Sequence, residues 1–188
     1  MKTFRTLSTF AAAVMLTANV AVAQTADGTE RKDLQIFKDV ANSVERYTQF
    51  TIFDDVSASV KDGAVTLTGK VTMPYKRDDI EKRVAKISGV RNVRDEITVL
   101  PVSQFDDELR HRIAASIYNN SNFWNYAIMA NPPIHIVVEH GRVTLTGVVQ
   151  SNDDRMLARS LATQFGAFSV TNALKTDAEV NAALEKSE

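Results

Sequence analysis

The chain repeats itself. Residues Val60–Val71 read VKDGAVTLTGKV, and Val138–Val149 read VEHGRVTLTGVV, an offset of 78 positions. Val, Gly, Val-Thr-Leu-Thr-Gly and Val recur in register, a density of matches that chance does not produce. Repetition of this kind decides the architecture before any other reading. A period near 78 is too long for one unit of a solenoid. It suits two small domains in tandem, each the product of one duplicated module.

Each copy carries the same order of patterns. In the first, Ile36, Val40, Val44 and Tyr47 fall at helical spacing, with Phe37 and Ala41 beside them, which predicts an amphipathic helix. Val56, Ala58 and Val60 alternate with polar residues as a half-buried strand does. Asp62-Gly63 supplies the positive-φ pair of a tight hairpin turn, and Val65, Leu67, Gly69 and Val71 return the chain. After Pro74, Ile80, Val84 and Ile87 predict a second helix, Gly89 its end, and Val93, Ile97 and Val99 a last strand. The second copy runs likewise. Leu109, Ile113 and Ile117 mark its first helix, and Ile134, Ile136 and Val138 its first strand. His140-Gly141 forms the turn, and Val143, Leu145, Gly147 and Val149 the return strand. Ser151 with Asp154 resembles a capping box opening a helix through Leu157, Leu161, Ala162 and Phe165. Val170, Ala173 and Leu174 close the copy, one residue short of the first. The unit is α-β-β-α-β in an α+β fold. One apolar face of a three-stranded sheet is covered by two helices.

The expected boundaries follow. Lys2 and Arg5, an uncharged stretch from Phe10 to Val22, and Ala21-Val22-Ala23 read as a secretory signal, residues 1–23, cleaved after Ala23. Residues 24–30 read as a disordered leader, 31–100 as the first domain, 101–175 as the second and 176–188 as a tail, where Val180 and Leu184 allow a short helix. The chain has no Cys, so neither a lipid-modified N-terminal Cys nor a disulfide is available. The signal predicts a periplasmic protein that is not a lipoprotein. Removing Lys2 and Arg5 from 22 Lys+Arg leaves 20 against 23 Asp+Glu, net −3. That balance excludes a basic nucleic-acid footprint for the whole chain.

Few residue patterns in the chain point to chemistry. His111, His135 and His140 meet no metal-ligand spacing, and no nucleophile elbow or Gly-rich phosphate loop is visible. Carboxylate pairs such as Asp78-Asp79 and Asp153-Asp154 fall at helix starts, where the helix dipole favours them. The expectation is no catalytic residue, no metal and no cofactor. Gly63 and Gly141 read as turn glycines. Gly69 and Gly147, inside strands, mark close packing or the approach of a ligand. Two surface features remain. The helix after Pro74 is basic, with Lys76, Arg77, Lys82, Arg83 and Lys86 followed by Arg91 and Arg94. It reads either as a charge-paired surface through Asp78–Lys82 and Asp79–Arg83, or as a contact for anionic lipid headgroups. The segment Phe123-Trp124-Asn125-Tyr126-Ala127-Ile128-Met129 reads either as core or as an interfacial aromatic site.

The turn Gly, the Val-x-Leu-x-Gly-x-Val run and the closing Gly-Val-x-x-Val-x-Asp-x-Ile resemble the BON (bacterial OsmY and nodulation) domain. The first copy carries Gly63, Val65, Leu67, Gly69, Val71, Gly89-Val90, Val93, Asp95 and Ile97. The second carries Gly141, Val143, Leu145, Gly147, Val149, Gly166-Ala167, Val170, Asn172 and Leu174. The resemblance implies two tandem domains and a non-enzymatic role in the envelope, in osmotic or other envelope stress, through peripheral contact with anionic phospholipid. A periplasmic chaperone or adaptor that binds unfolded or outer-membrane polypeptides is the alternative. The expected lipid contacts are Trp124, Tyr126, Phe123, Lys82, Arg83 and Lys86, with other envelope proteins as further partners.

Overall fold

The computed structural model describes the backbone of residues 18–185 and the side chains of residues 32–182; the expected signal segment up to residue 17 lies outside the described residues. The elements run α1 (Ala18–Glu45), β1 (Asp55–Lys61), β2 (Ala64–Val71), α2 (Pro74–Val84) and β3 (Asn92–Val99) in the first domain. The second has α3 (Gln104–Tyr118), α4 (Trp124–Ala127), β4 (Ile134–Glu139), β5 (Arg142–Val149), α5 (Asn152–Ala162), β6 (Ser169–Asn172), β7 (Lys175–Thr176) and α6 (Asp177–Glu185).

Both sheets share one topology. The return strand is central, antiparallel to the strand before it and parallel to the strand after α2 or α5. Alternation along β2 sends Val65, Leu67 and Val71 inward, all at most 1% exposed. There they meet Ile36, Val40 and Val44 of α1 and Ile80 and Val84 of α2. The second core repeats this with Val143, Leu145 and Val149 against Leu109, Ile113 and Ile117 of α3 and Ala158 and Ala162 of α5. The one-residue deletion is visible in the register. Val65 lies opposite Val93, and Val143 opposite Val170.

Two details depart from the expectation. The stretch 24–30, expected as a disordered leader, is helical and continuous with α1. It contains no proline, so nothing in it removes a helical hydrogen bond. The closing strand of the second copy breaks at Ala173-Leu174, splitting it into β6 and β7. Ala173 still donates to Leu145 O (2.8 Å), and the register resumes with Lys175 opposite Val148. The side chain of Asn172 accepts from Leu174 N (3.3 Å), and this local bond takes the place of the ladder. The short helix that Val180 and Leu184 allow in the tail forms as α6, and its start is capped. Thr176 and Glu179 exchange side-chain and backbone bonds as a capping box (2.9 and 3.3 Å), and Glu179 binds Arg155 of α5.

The recurring glycines have a packing cause. Gly69 (φ +125) and Gly147 (φ +111) sit where a Cβ would fall 2.1 Å from Asp55 O and 1.8 Å from Pro133 O. A backbone carbonyl crosses the strand there, so these positions are filled by the protein itself and not by a ligand. The hairpin turns use positive φ at Asp62-Gly63 and His140-Gly141. Each turn is held by a carboxylate on the first helix of its domain. Asp33 accepts from Asp62 N and Gly63 N (2.6 and 2.8 Å), and buried Asp106 accepts from His140 N and Gly141 N (2.9 and 2.7 Å).

The domains touch through backbone as well as side chains. Ile136 N donates to Ile52 O (2.7 Å), His135 Nδ1 meets Asp54 O (2.6 Å), and Asn131 donates to Glu45 O (3.0 Å). Lys70 pairs with Glu139. Val137, which alternation points away from its own core, is only 5% exposed because the first domain reaches over that face.

Candidate functional site

The aromatic segment resolves into pegs and a knob. Asn120 caps the turn before it by accepting from Asn122 N (3.0 Å). Phe123 is fully buried and Tyr126 is 2% exposed; their rings lie 5.8 Å apart within the second core. The Tyr126 hydroxyl accepts from Gln150 N (2.8 Å) and donates to Asp154 (3.0 Å). Burial raises the Tyr126 pKa; the Gln150 bond opposes that and Asp154 adds to it. These anchors turn the other side of α4 outward. Trp124 is 63% exposed and Ile128 71%, one turn apart, with Met129 beside them at 45%. Of the expected lipid contacts on this segment, Phe123 and Tyr126 are therefore corrected to core residues. Trp124 is exposed as a surface contact requires, and Ile128 and Met129 are exposed beside it. Helical spacing from Trp124 was the signal for Ile128.

The basic helix is less uniform than its composition. Lys82, Arg83 and Lys86 are exposed. Lys76 is not: it is 4% exposed and its ammonium lies 2.7 Å from the carboxylate of fully buried Asp54. That carboxylate also accepts from the backbone and hydroxyl of Thr51 and of Thr72. Burial pushes the Asp54 pKa up, but the Lys76, Thr72 and Thr51 bonds outweigh it and hold it below the usual carboxylate value. The expected pairs Asp78–Lys82 and Asp79–Arg83 do not form among the described residues. Asp78 binds Arg77. Asp79 accepts from the Tyr47 hydroxyl (2.7 Å), which burial and Asp79 together push up to about 12. Arg83 lies 5.3 Å over the Tyr47 ring and donates to Ser43 O. The α4 knob and the α2 cations lie in different domains. The former packs on α3, the latter on α1 and its own sheet.

The same place in each domain holds a different polar cluster. Thr72 and Lys76 of the first copy correspond to Gln150 and Asp154 of the second. The first cluster closes on Asp54, the second on Tyr126. Each tethers the segment before the first strand, a turn at Asp54 and α4 at Tyr126, to the start of the second helix. An interdomain cleft lies between α1, the edge of β1 and the open face of the second sheet, with a volume near 710 Å³. His135 stands in it, its ring 5.4 Å from Phe50. His111 packs edge-on against Phe53 at 5.0 Å, and His140 occupies the turn. Among the described residues no group of three or more His, Cys, Asp or Glu is placed to hold a metal ion, and no helix is long and apolar enough to cross a membrane.

Two duplicated, helix-backed sheets of one topology define a class of tandem α-β-β-α-β proteins. The BON domain model matches residues 32–101 and again 106–186. The chain belongs to the BON domain family. No curated protein matches it. Among solved structures it is similar to the C-terminal domain of CdsD, the structural protein of the type III secretion system of Chlamydia trachomatis. Identity is 18%, coverage 79% of this chain and 69% of that one, and the TM-score 0.33. A second CdsD structure from the same organism matches at 14% identity, covering 78% and 97%, with a TM-score of 0.29.

Proposed function

We propose that the protein is an exported, non-enzymatic envelope protein that attaches peripherally to anionic phospholipid. The observation that carries this reading is the outward pair Trp124 and Ile128, 63% and 71% exposed on a short helix pegged by buried Phe123 and Tyr126. Exposed aromatic and aliphatic side chains on a rigid support suit the boundary between headgroups and acyl chains. The cations Lys82, Arg83 and Lys86 add long-range attraction, about 1 kcal/mol each near an anionic surface.

The test is sedimentation of the mature protein with phosphatidylglycerol vesicles beside phosphatidylcholine vesicles. Binding is expected to the former, to weaken with salt over the range where the screening length contracts, and to fall about tenfold or more in Trp124→Ala/Ile128→Ala. Equal binding to both vesicle types, or a double variant that binds as the parent does, overturns the reading.

A further inference from the structure

We propose that the interdomain cleft accepts an extended polypeptide segment, which adds as a strand to the free edge of β1. This does not rest on membrane contact.

The register of β1 supplies the first part. Its two-residue turn closes on the pair Lys61–Ala64, with Ser59 opposite Thr66 and Ser57 opposite Thr68. In such a hairpin these pairs exchange both ladder bonds, and the residues between them direct N–H and C=O to the other edge. Val56 and Ala58 are therefore edge-facing, and neither forms any backbone bond outside the ladder. Both line the cleft. An edge strand with unpaired backbone groups is a template for another strand.

The surroundings supply the second part. Phe37 and Ala41 of α1 line the cleft, together with Val148 of β5 and Ala173 from the break between β6 and β7. Thr146 stands beside Val148, and its Oγ1 is buried without a hydrogen-bond partner. The charged groups along the cleft are Glu45, Asp55 and Lys175. The space, near 710 Å³, falls within the usual ligand range of about 300–1,000 Å³. An acyl chain would fill it but leave the N–H and C=O of Val56 and Ala58 and the Thr146 hydroxyl unpaired, and buried polar groups without partners are costly. A peptide strand satisfies them. Its alternate side chains would then pack on Phe37 and Ala41, the pattern of strand-addition recognition.

Continuity with the domain interface supplies the third part. Directly upstream of β1, Ile52 O already accepts from Ile136 N of the second domain. The backbone line of β1 is thus bridged at one end, and the cleft opens where that bridge stops.

The test uses the mature full chain labelled with ¹⁵N and a pool of heptapeptides alternating Val, Ile or Phe with Ser, Thr or Lys. Expected are shifted and slowly exchanging amides at Val56 and Ala58, and nuclear Overhauser contacts from peptide to the Ala41 methyl. Ala58→Pro removes the edge-facing N–H and spares the β1–β2 ladder, a replacement that edge strands tolerate. Ala41→Arg fills the cleft from a half-exposed position outside the core. Each is expected to weaken binding about tenfold or more, while Trp124→Ala binds peptide as the parent does. Peptide shifts that map elsewhere, no binding from any member of the pool at millimolar concentration, or undiminished binding by Ala41→Arg overturns the proposal. Vesicle binding without peptide binding also overturns it and leaves the membrane reading standing.

Discussion

Replacing Lys76 by Met tests whether the Asp54 cluster holds the first domain together. The Asp54 carboxylate is fully buried and accepts five hydrogen bonds, one of them from Lys76 Nζ at 2.7 Å. Lys76→Met leaves the four bonds from Thr51 and Thr72 but removes the counter-charge. Breaking one side of a buried pair costs about 3–5 kcal/mol. For a domain of this size that lowers Tm by more than about 12 °C, at roughly 4–8 °C per kcal/mol. The only Trp lies in the second domain, so fluorescence would miss the effect. Hydrogen exchange at Leu67, in the central strand of the first sheet, reports it. The double variant Asp54→Asn/Lys76→Met removes both charges, keeps an acceptor for the Thr72 bonds and is expected to recover part of the loss. The pH dependence has a fixed sign. The folded pKa of Asp54 is depressed, so its stabilisation is present above the unfolded carboxylate value of about 3.9 and is lost as pH falls through the lower folded value. The parent should lose this part of its stability on acidification below about pH 4, and the double variant should lack that component. A Lys76→Met chain within about 1 kcal/mol of the parent, or a double variant as unstable as the two single losses combined, refutes the reasoning.

Gly147→Ala forces a Cβ to within 1.8 Å of Pro133 O and is expected to cost about 3 kcal/mol or more in urea unfolding. Gly166→Ala, with open space around it at φ +76, should cost only about 1–2 kcal/mol. Tyr126→Phe strands Gln150 N and Asp154 at the start of α5 and should destabilise the second domain by about 1–3 kcal/mol, read by Trp124 fluorescence in urea. Val137→Asp places a charge beneath the first domain. It should loosen the domains, seen as separate rotational correlation times by ¹⁵N relaxation, while each core stays folded.

What was legible in the sequence follows from what each residue senses. Turns and sheet faces answer to local periodicity, so Asp62-Gly63, Val65, Leu67 and their second-copy partners stood where alternation put them. The one-residue deletion was legible too, as the shift from Val93 to Val170. Side chains that reach across the fold were not. Lys76 belongs to a run of basic residues, and only the distant Asp54 explains its burial. Phe123 and Tyr126 share a short aromatic run with Trp124. Which of them faces water depends on one turn of helix and on Asp154, 28 positions away from Tyr126.

The domain interface was written in the sequence in a form that composition and periodicity do not expose. It appears only when the copies are compared with each other. At the outward positions of the first strand, Ser57, Ser59 and Lys61 of one copy stand against His135, Val137 and Glu139 of the other. Duplicated modules begin with identical surfaces, and those surfaces diverge where the modules come to meet different surroundings. Ser59 faces solvent and stays polar, whereas Val137 is covered by the first domain and is apolar; Glu139 has reversed the charge of Lys61 and pairs with Lys70. Because the contact joins unlike surfaces of like domains, repeating it between molecules would set Ser57, Ser59 and Lys61 where His135, Val137 and Glu139 now make it. Those residues lack the apolar and acidic groups it requires. The groups that make the contact are thus confined to the second copy, and beside it the β1 edge at Val56 and Ala58 keeps backbone groups without a ladder partner.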